Sequence, residues 1–287
     1  MQLYRLILGV EISENYVRAA EVEHRDGEFF LSRVAQRELV SHEAGDLGHA
    51  LDNLIEEESL LSKTASFAID TALTQQDTID VDPDLDDNEV VNFVKAELAL
   101  HTGTAVSEYK PAYQIIGTSA NGYPEVFYAA VKKGLLESLR IASMNCGLDL
   151  RFVDVDHSCS EIVATTLFQL KNFVLVSVKE NQVEASFCRN GARAAYRSSR
   201  YVDDPAYSVV RLVQDVESVV KESAPKVLIC GRAASKNLVE LFRTSVDERY
   251  EPLQPAQHLL LSHFVAANEE LRTDLSLYSA AIGAALK

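Results

Sequence analysis

Apolar residues fall in short blocks along this chain, and their spacing alternates between the two-residue period of strands and the 3.6-residue period of helices. Tyr4 to Ile12 is aliphatic nearly throughout and predicts a buried strand. Polar Ser13-Glu14-Asn15 follows, then two strand-like runs, Tyr16 to His24 and Glu28 to Val34, joined by Asp26-Gly27. Asp-Gly between such runs predicts a tight hairpin, because that turn needs positive φ at its central residues. From Asp46 to Leu60, the positions Leu47, Ala50, Leu51, Leu54 and Ile55 share one helix face. Thr64 to Asp70 reads as a strand. The polar stretch 75–89 reads as a strand leading into a helix capped by Asp86, with Glu89 completing a capping box. That helix would bury Val90, Val94 and Leu98.

Tyr113 to Ile116 and Val126 to Val131 predict strands around the turn Asn121-Gly122. Lys133 to Cys146 predicts a helix ended by Gly147, where a left-handed cap favours glycine. Leu148 to Val155 reads as a strand and Ser160 to Leu170 as a helix. The second half begins like the first. Phe173 to Val178 predicts a strand, Lys179-Glu180-Asn181 a turn, and Gln182 to Cys188 with Ala192 to Ser199 a hairpin closed by Asn190-Gly191. A helix over Pro205 to Ser223, a strand over Lys226 to Cys230, a helix opened by Gly231 and running through Phe242, and a last helix from Leu275 to Leu286 complete the pattern. Glu14-Asn15-x-Val17-x-Ala19 recurs as Glu180-Asn181-x-Val183-x-Ala185. Two copies of strand, polar turn, strand, glycine turn, strand predict a duplicated α/β domain, with a ligand cleft expected between the halves.

With 287 residues, 47% of them apolar, the chain can bury a sizeable core. No stretch reaches the ~20 consecutive apolar residues of a membrane span. Met1 to Gly9 reads as part of a first strand rather than a leader. A net charge of −16 argues against nucleic acid as a partner, since phosphate is repelled by a carboxylate-rich surface. Residues 41–100 hold 15 acidic and 2 basic side chains. That stretch is either a solvated face or a docking surface for a basic partner. The widely spaced Cys146, Cys159, Cys188 and Cys230 read as reduced thiols. The common nucleotide-loop, dinucleotide, zinc-protease and serine-hydrolase motifs are not found. His258 and His263 stand without a ligand pattern around them. Of Asp154 and Asp156, at the end of the predicted strand, one is expected to face the cleft and the other to be structural.

The order of these pieces resembles the actin–Hsp70–sugar kinase superfamily. Within it the chain is similar to the PilM family of type IV pilus assembly, with the actin-like cytoplasmic portion of the type II secretion platform protein as a related reading. Leu8-Gly9-Val10-Glu11-Ile12-Ser13-Glu14-Asn15-Tyr16-Val17-Arg18 resembles the family's first phosphate hairpin. Asp84-Leu85-Asp86-Asp87-Asn88-Glu89, then Val94-Lys95-Ala96-Glu97-Leu98, resembles its acidic lead-in and following helix. Tyr109 to Ile115, Tyr128-Ala129-Ala130-Val131-Lys132-Lys133, and Gly147-Leu148 with Val153-Asp154-Val155-Asp156 resemble later segments in the same order. The resemblance implies an actin-like (ribonuclease H-like) duplicated domain with an inserted subdomain of the PilM/FtsA type. The first half would cover 1–74 and 149–171, the insert 75–148 and the second half 172–287. It also implies a cytoplasmic protein at the inner face of the inner membrane. Such a protein binds the N-terminal cytoplasmic peptide of a bitopic inner-membrane assembly partner, in a groove between the first-half core and the insert. It has no membrane span of its own, and self-association is left open.

Nucleotide-binding relatives carry Asp-x-Gly and a small or hydroxyl residue in each phosphate hairpin. The Asp orients Mg²⁺ and the Gly admits phosphate to backbone N–H groups. Here those three positions are Glu11, Ser13 and Glu14 in the first hairpin, and Ser177, Lys179 and Glu180 in the second. The adenosine loop is reduced to Cys230-Gly231-Arg232-Ala233. The expectation is a degenerate nucleotide site, no cofactor and no enzymatic activity. Glu14 and Glu180 read equally as ordinary turn polarity. The alternative is a Mg-ATP-dependent switch or weak ATPase in which Glu11 and Lys179 replace the lost groups. A small-molecule kinase of the same superfamily is the third reading.

Overall fold

A computed structural model describes residues 5–102, 106–119 and 121–287, so Tyr4, at the start of the predicted first strand, lies outside the described residues. The chain opens with β1 (Arg5–Ile12), β2 (Tyr16–Arg25) and β3 (Glu28–Glu38), followed by α1 (Ala44–Glu57) and β4 (Thr64–Ile69). Then come β5 (Thr74–Asp80), α2 (Asp87–Thr102), β6 (Tyr109–Thr118), β7 (Pro124–Lys132), α3 (Lys133–Asn145), β8 (Asp149–Val155) and α4 (Asp156–Thr166). The second half runs β9 (Phe173–Val178), β10 (Gln182–Arg189), β11 (Ala192–Arg200), α5 (Ala206–Val220), β12 (Val227–Cys230), α6 (Lys236–Ser245) and β13 (Tyr250–Pro252). It ends with β14 (Leu260–Leu261), α7 (His263–Ala267), α8 (Glu269–Thr273) and α9 (Ser279–Leu286).

The chain divides into two compact units. The first is Met1–Thr74, Lys133–Gln169 and Gln254–Lys287; the second is Gln75–Lys132 and Leu170–Leu253. These boundaries differ from those implied by the resemblance. α3 packs on α1 and α9 packs on β1 and α4, so both belong to the first unit. The inserted segment β5–α2–β6–β7 belongs to the second.

Within the first unit the sheet order is β14-β3-β2-β1-β4-β8, with β1, β4 and β8 parallel. Asp26 and Gly27 both have positive φ, 54° and 88°, as the predicted hairpin requires. α9 is buried at every position up to its last residue. It sits so close to β1 that a Cβ on Gly9 would lie 1.8 Å from the Ala281 carbonyl oxygen. A Cβ on Gly283 would lie equally close to the Cys159 carbonyl oxygen of α4. Glycine at these two positions sets the spacing of the layers.

Within the second unit the sheet β11-β10-β9-β12-β13 repeats the plan, with β9 and β12 parallel. Asn190 and Gly191 have φ of 55° and 79°, the same turn as Asp26-Gly27. Val174, Val176, Phe187, Leu212 and Phe242 form its core under α5 and α6. The insert is a three-stranded sheet, β5-β7-β6, covered by α2. Asp86 caps α2 as predicted: its carboxylate accepts from the N–H groups of Asn88 and Glu89, and Glu89 reaches back to the Asp86 N–H. The insert is tied to β11 by the Arg193 guanidinium, 4.2 Å above the Phe127 ring, and by Arg197, 2.7 Å from Glu125.

The registers make the duplication quantitative. Ile12 pairs with Val17 and Glu11 with Arg18; Val178 pairs with Val183 and Ser177 with Glu184. Both turns close alike, Ser13 N–H to the Tyr16 carbonyl at 3.0 Å and Lys179 N–H to the Gln182 carbonyl at 2.8 Å.

Two sequence expectations are corrected. Gly231 does not open a helix: its φ is 101°, and α6 starts five residues later, where Ser235 accepts from the Leu238 N–H as N-cap. α4 begins at Asp156 rather than Ser160, because the Asp156 carboxylate takes up the N–H of His157 at the helix start. The short elements between 250 and 273 were not anticipated, since runs of two to five residues carry too little periodicity to read.

Candidate functional site

Three adjacent parallel strands of the first unit end together, and each delivers a carboxylate there. Ile12, Ile69 and Val155 lie in register across β1, β4 and β8. Glu11 precedes Ile12, Asp70 follows Ile69 and Asp156 follows Val155. All three carboxyl groups are buried, and one oxygen from each lies within 4.8 Å of the others. The carboxyl ends of parallel strands are where open α/β sheets bind ligands.

The surroundings fix each group. Tyr16 donates its hydroxyl to Glu11 Oε1 at 3.0 Å. Burial, and then the Glu11 charge, raises the Tyr16 phenol well above its ordinary range. The Thr71 hydroxyl donates to Asp156 Oδ1 at 3.1 Å, and Asp70 caps the short turn after β4 by accepting from the Ala72 N–H. Arg18, 4% exposed, brings a cation to the cluster with Nη1 3.7 Å from Glu11 Oε2. Its guanidinium also donates to Gln36 Oε1 and the Leu277 carbonyl, and lies over the Tyr16 ring. Contacts on every side hold it in place, as suits a planar five-donor group.

Oxygen donors of this kind suit a hard divalent cation such as Mg²⁺. Around the two hairpin turns the polar groups engage local partners. Ser13 is buried, and its carbonyl engages His42 Nε2 at 2.8 Å. Glu14 is exposed beside it. In the second unit Lys179 Nζ is bound to Glu184 at 2.9 Å, and Glu184 also accepts from the Tyr196 hydroxyl at 2.5 Å. Ser177 is buried with its hydroxyl 3.4 Å from Cys230 Sγ. Arg232 reaches Glu180 at 3.4 Å. Gly231 is required by backbone packing, since a Cβ there would lie 2.4 Å from the Val178 carbonyl oxygen.

The seven residues singled out from the sequence thus fall into two local groups: Glu11, Ser13 and Glu14 in the first unit, and Ser177, Lys179, Gly231 and Arg232 in the second. Asp70 and Arg18 are not among them; Asp156 enters only as one of a pair with Asp154, and it is Asp156 that joins the cluster. The available signal was an apolar strand ending directly on Asp, twice, at Ile69-Asp70 and Val155-Asp156. Asp154, by contrast, turns outward to pair with Lys287.

No protein-family model and no curated protein sequence matches the chain. Solved structures do. A PilM–PilN type IV pilus biogenesis complex aligns with a TM-score of 0.71 at 16% identity, covering 98% of this chain and 97% of that one. The cytoplasmic domain of EpsL, an inner-membrane component of the type II secretion system of Vibrio cholerae, aligns at 0.52 and 11% identity, covering 86% and 90%. A Bacteroides thetaiotaomicron protein described as having an actin-like ATPase fold aligns at 0.50 and 11% identity, covering 94% and 95%. The chain has an actin-like α/β fold of the PilM-like kind along nearly its whole length.

Proposed function

We propose that this protein is a non-catalytic scaffold of a type IV pilus or related secretion machine, one that binds the N-terminal cytoplasmic peptide of an inner-membrane partner. The carrying observation is internal charge neutralisation at the second hairpin. Lys179, the cation nearest to replacing a lost phosphate-binding group, is taken up by buried Glu184. Freeing it for phosphate would leave that carboxylate buried without its cation, at about 3–5 kcal/mol. This is a large share of the roughly −8 kcal/mol of micromolar binding. The partner half of the reading is supported by likeness to PilM in its complex with PilN and to EpsL. Among the described residues no helix is long and apolar enough to cross a membrane, which is compatible with recruitment by a partner that does.

The test is titration of the protein with N-terminal cytoplasmic peptides of co-occurring bitopic membrane proteins. Binding tighter than ~1 mM, about −4 kcal/mol, is expected for one of them. Absence of binding by every such peptide would end the reading.

A second reading, a Mg-nucleotide-dependent switch, is favoured by one observation, the Glu11–Asp70–Asp156 cluster. Those three residues would hold the cation, which would supply charge neutralisation for phosphate. Nucleotide at 100 times its Kd adds about 2.7 kcal/mol of stability. Under this reading Mg-ATP raises the Tm of the wild type and not of D156N. Under the scaffold reading it moves neither.

A further inference from the structure

Helix α2 is apolar on two faces. Val90, Val94 and Leu98 point into the insert core with Val126 and Tyr128. Phe93, Ala96 and Leu100, spaced by three and four, form a second stripe that faces solvent. Phe93 is 38% and Leu100 78% exposed. Scattered exposed apolar residues are ordinary, but a stripe along one helix is not, because a surface helix normally turns its polar face outward.

Carboxylates dominate the charge around the stripe, with His101 3.9 Å from Glu97. Six exposed carboxylates lie between Asp80 and Glu89, leading into the helix. Glu89 and Glu97 stand one turn either side of Phe93 on the same face. The helix's single Lys or Arg, Lys95, is two residues from Phe93 and so points to the far side.

We propose that the outward face of α2 is a docking surface for a basic amphipathic helix of a partner protein. Its apolar residues would cover Phe93, Ala96 and Leu100, and its Lys or Arg residues would meet the surrounding carboxylates. Charge chooses this occupant over the others. A second copy placed α2 against α2 would set Glu89 and Glu97 against carboxylates, and an anionic membrane surface would meet the same repulsion. The inference deepens the scaffold reading, on which it rests, by naming a surface and a partner chemistry.

The experiment is fluorescence anisotropy of the full chain with a labelled 18-residue Leu/Lys peptide patterned as an amphipathic helix, against a scrambled peptide of the same composition. The patterned peptide is expected to bind at least tenfold tighter than the scrambled one, and several-fold weaker at high salt. F93S/L100S and A96R should each abolish the preference, while V202S/Y207S, at exposed apolar positions elsewhere, should leave it intact. Equal binding of the two peptides, or unchanged binding by F93S/L100S, overturns the proposal. So does a fall in solution mass in F93S/L100S, which identifies a second copy as occupant, or wild-type binding to phosphatidylserine vesicles that F93S/L100S loses. A membrane partner's peptide bound equally by wild type and F93S/L100S overturns this surface and leaves the scaffold reading standing. If no partner peptide binds, the scaffold reading fails, and the Leu/Lys comparison still decides the surface.

Discussion

Glu184 lies opposite Ser177 on paired strands and holds Lys179 Nζ at 2.9 Å, with no solvent reaching the Glu184 side chain. A buried pair like this adds little stability relative to apolar residues of the same shape, but removing one member is costly. The Tyr196 hydroxyl shares the carboxylate, and burial followed by the Glu184 charge raises that phenol well above its ordinary range.

K179M should therefore destabilise the fold by about 3–5 kcal/mol, read as a fall in urea midpoint. K179M/E184Q should recover most of the loss, because the uncompensated charge is gone. Equal midpoints for wild type and K179M would show that Glu184 is not held by this pair.

G9A and G283A each place a methyl where a backbone oxygen stands 1.8 Å away. Neither obstacle is the end of a flexible side chain, so α9 must move off β1 or α4. Losses of at least 2–3 kcal/mol are expected, with earlier proteolytic cleavage in the segment preceding α9. G48A, where an added Cβ meets nothing within 4 Å, is the matched control. Similar stability for all three variants would contradict the packing.

D86A removes the group that caps two N–H donors at the start of α2. The expected cost is about 1 kcal/mol, seen as faster amide exchange in the first turn of α2. Exchange unchanged by the substitution would mean that Glu89 alone secures the helix start.

Burial raises Tyr128 and Tyr250 to about 12, above the 10.0 of an ordinary phenol. A phenol with a raised folded-state pKa keeps its proton longer in the folded chain than in the unfolded one. Its stabilising contribution is complete below pH 10 and is lost as pH rises toward 12, at about 1.4 kcal/mol per pH unit for each group. Y128F/Y250F should flatten the fall in stability over that window. An unchanged slope would assign alkaline unfolding to other groups.

Much of the architecture is legible in the chain because its signals are local. Asp26-Gly27 and Asn190-Gly191 need positive φ, and Asp86 with Glu89 closes a capping box within four residues. The short match between Glu14–Ala19 and Glu180–Ala185 reflects two hairpins with identical registers. The site was less legible because its partners are remote in sequence. Arg18 meets the Leu277 carbonyl across 259 positions, and Thr71 meets Asp156 across 85. An acid after a strand reads as turn polarity until the neighbouring strands are known to end beside it, which hides Asp70 and leaves Asp156 undistinguished from Asp154. Lys179 looked available because nothing nearby in sequence indicates that Glu184 points back at it.

The shared registers put Arg18 and Glu184 in the same slot of the two hairpins, each opposite the penultimate residue of the first strand. One half fills that slot with a cation and the other with an anion. The two copies are therefore no longer interchangeable parts. A recombination event that overwrote β10 with β2 would set a guanidinium beside Lys179 with no carboxylate to answer it. Opposite polarity in one slot makes each hairpin a part fitted to its own half.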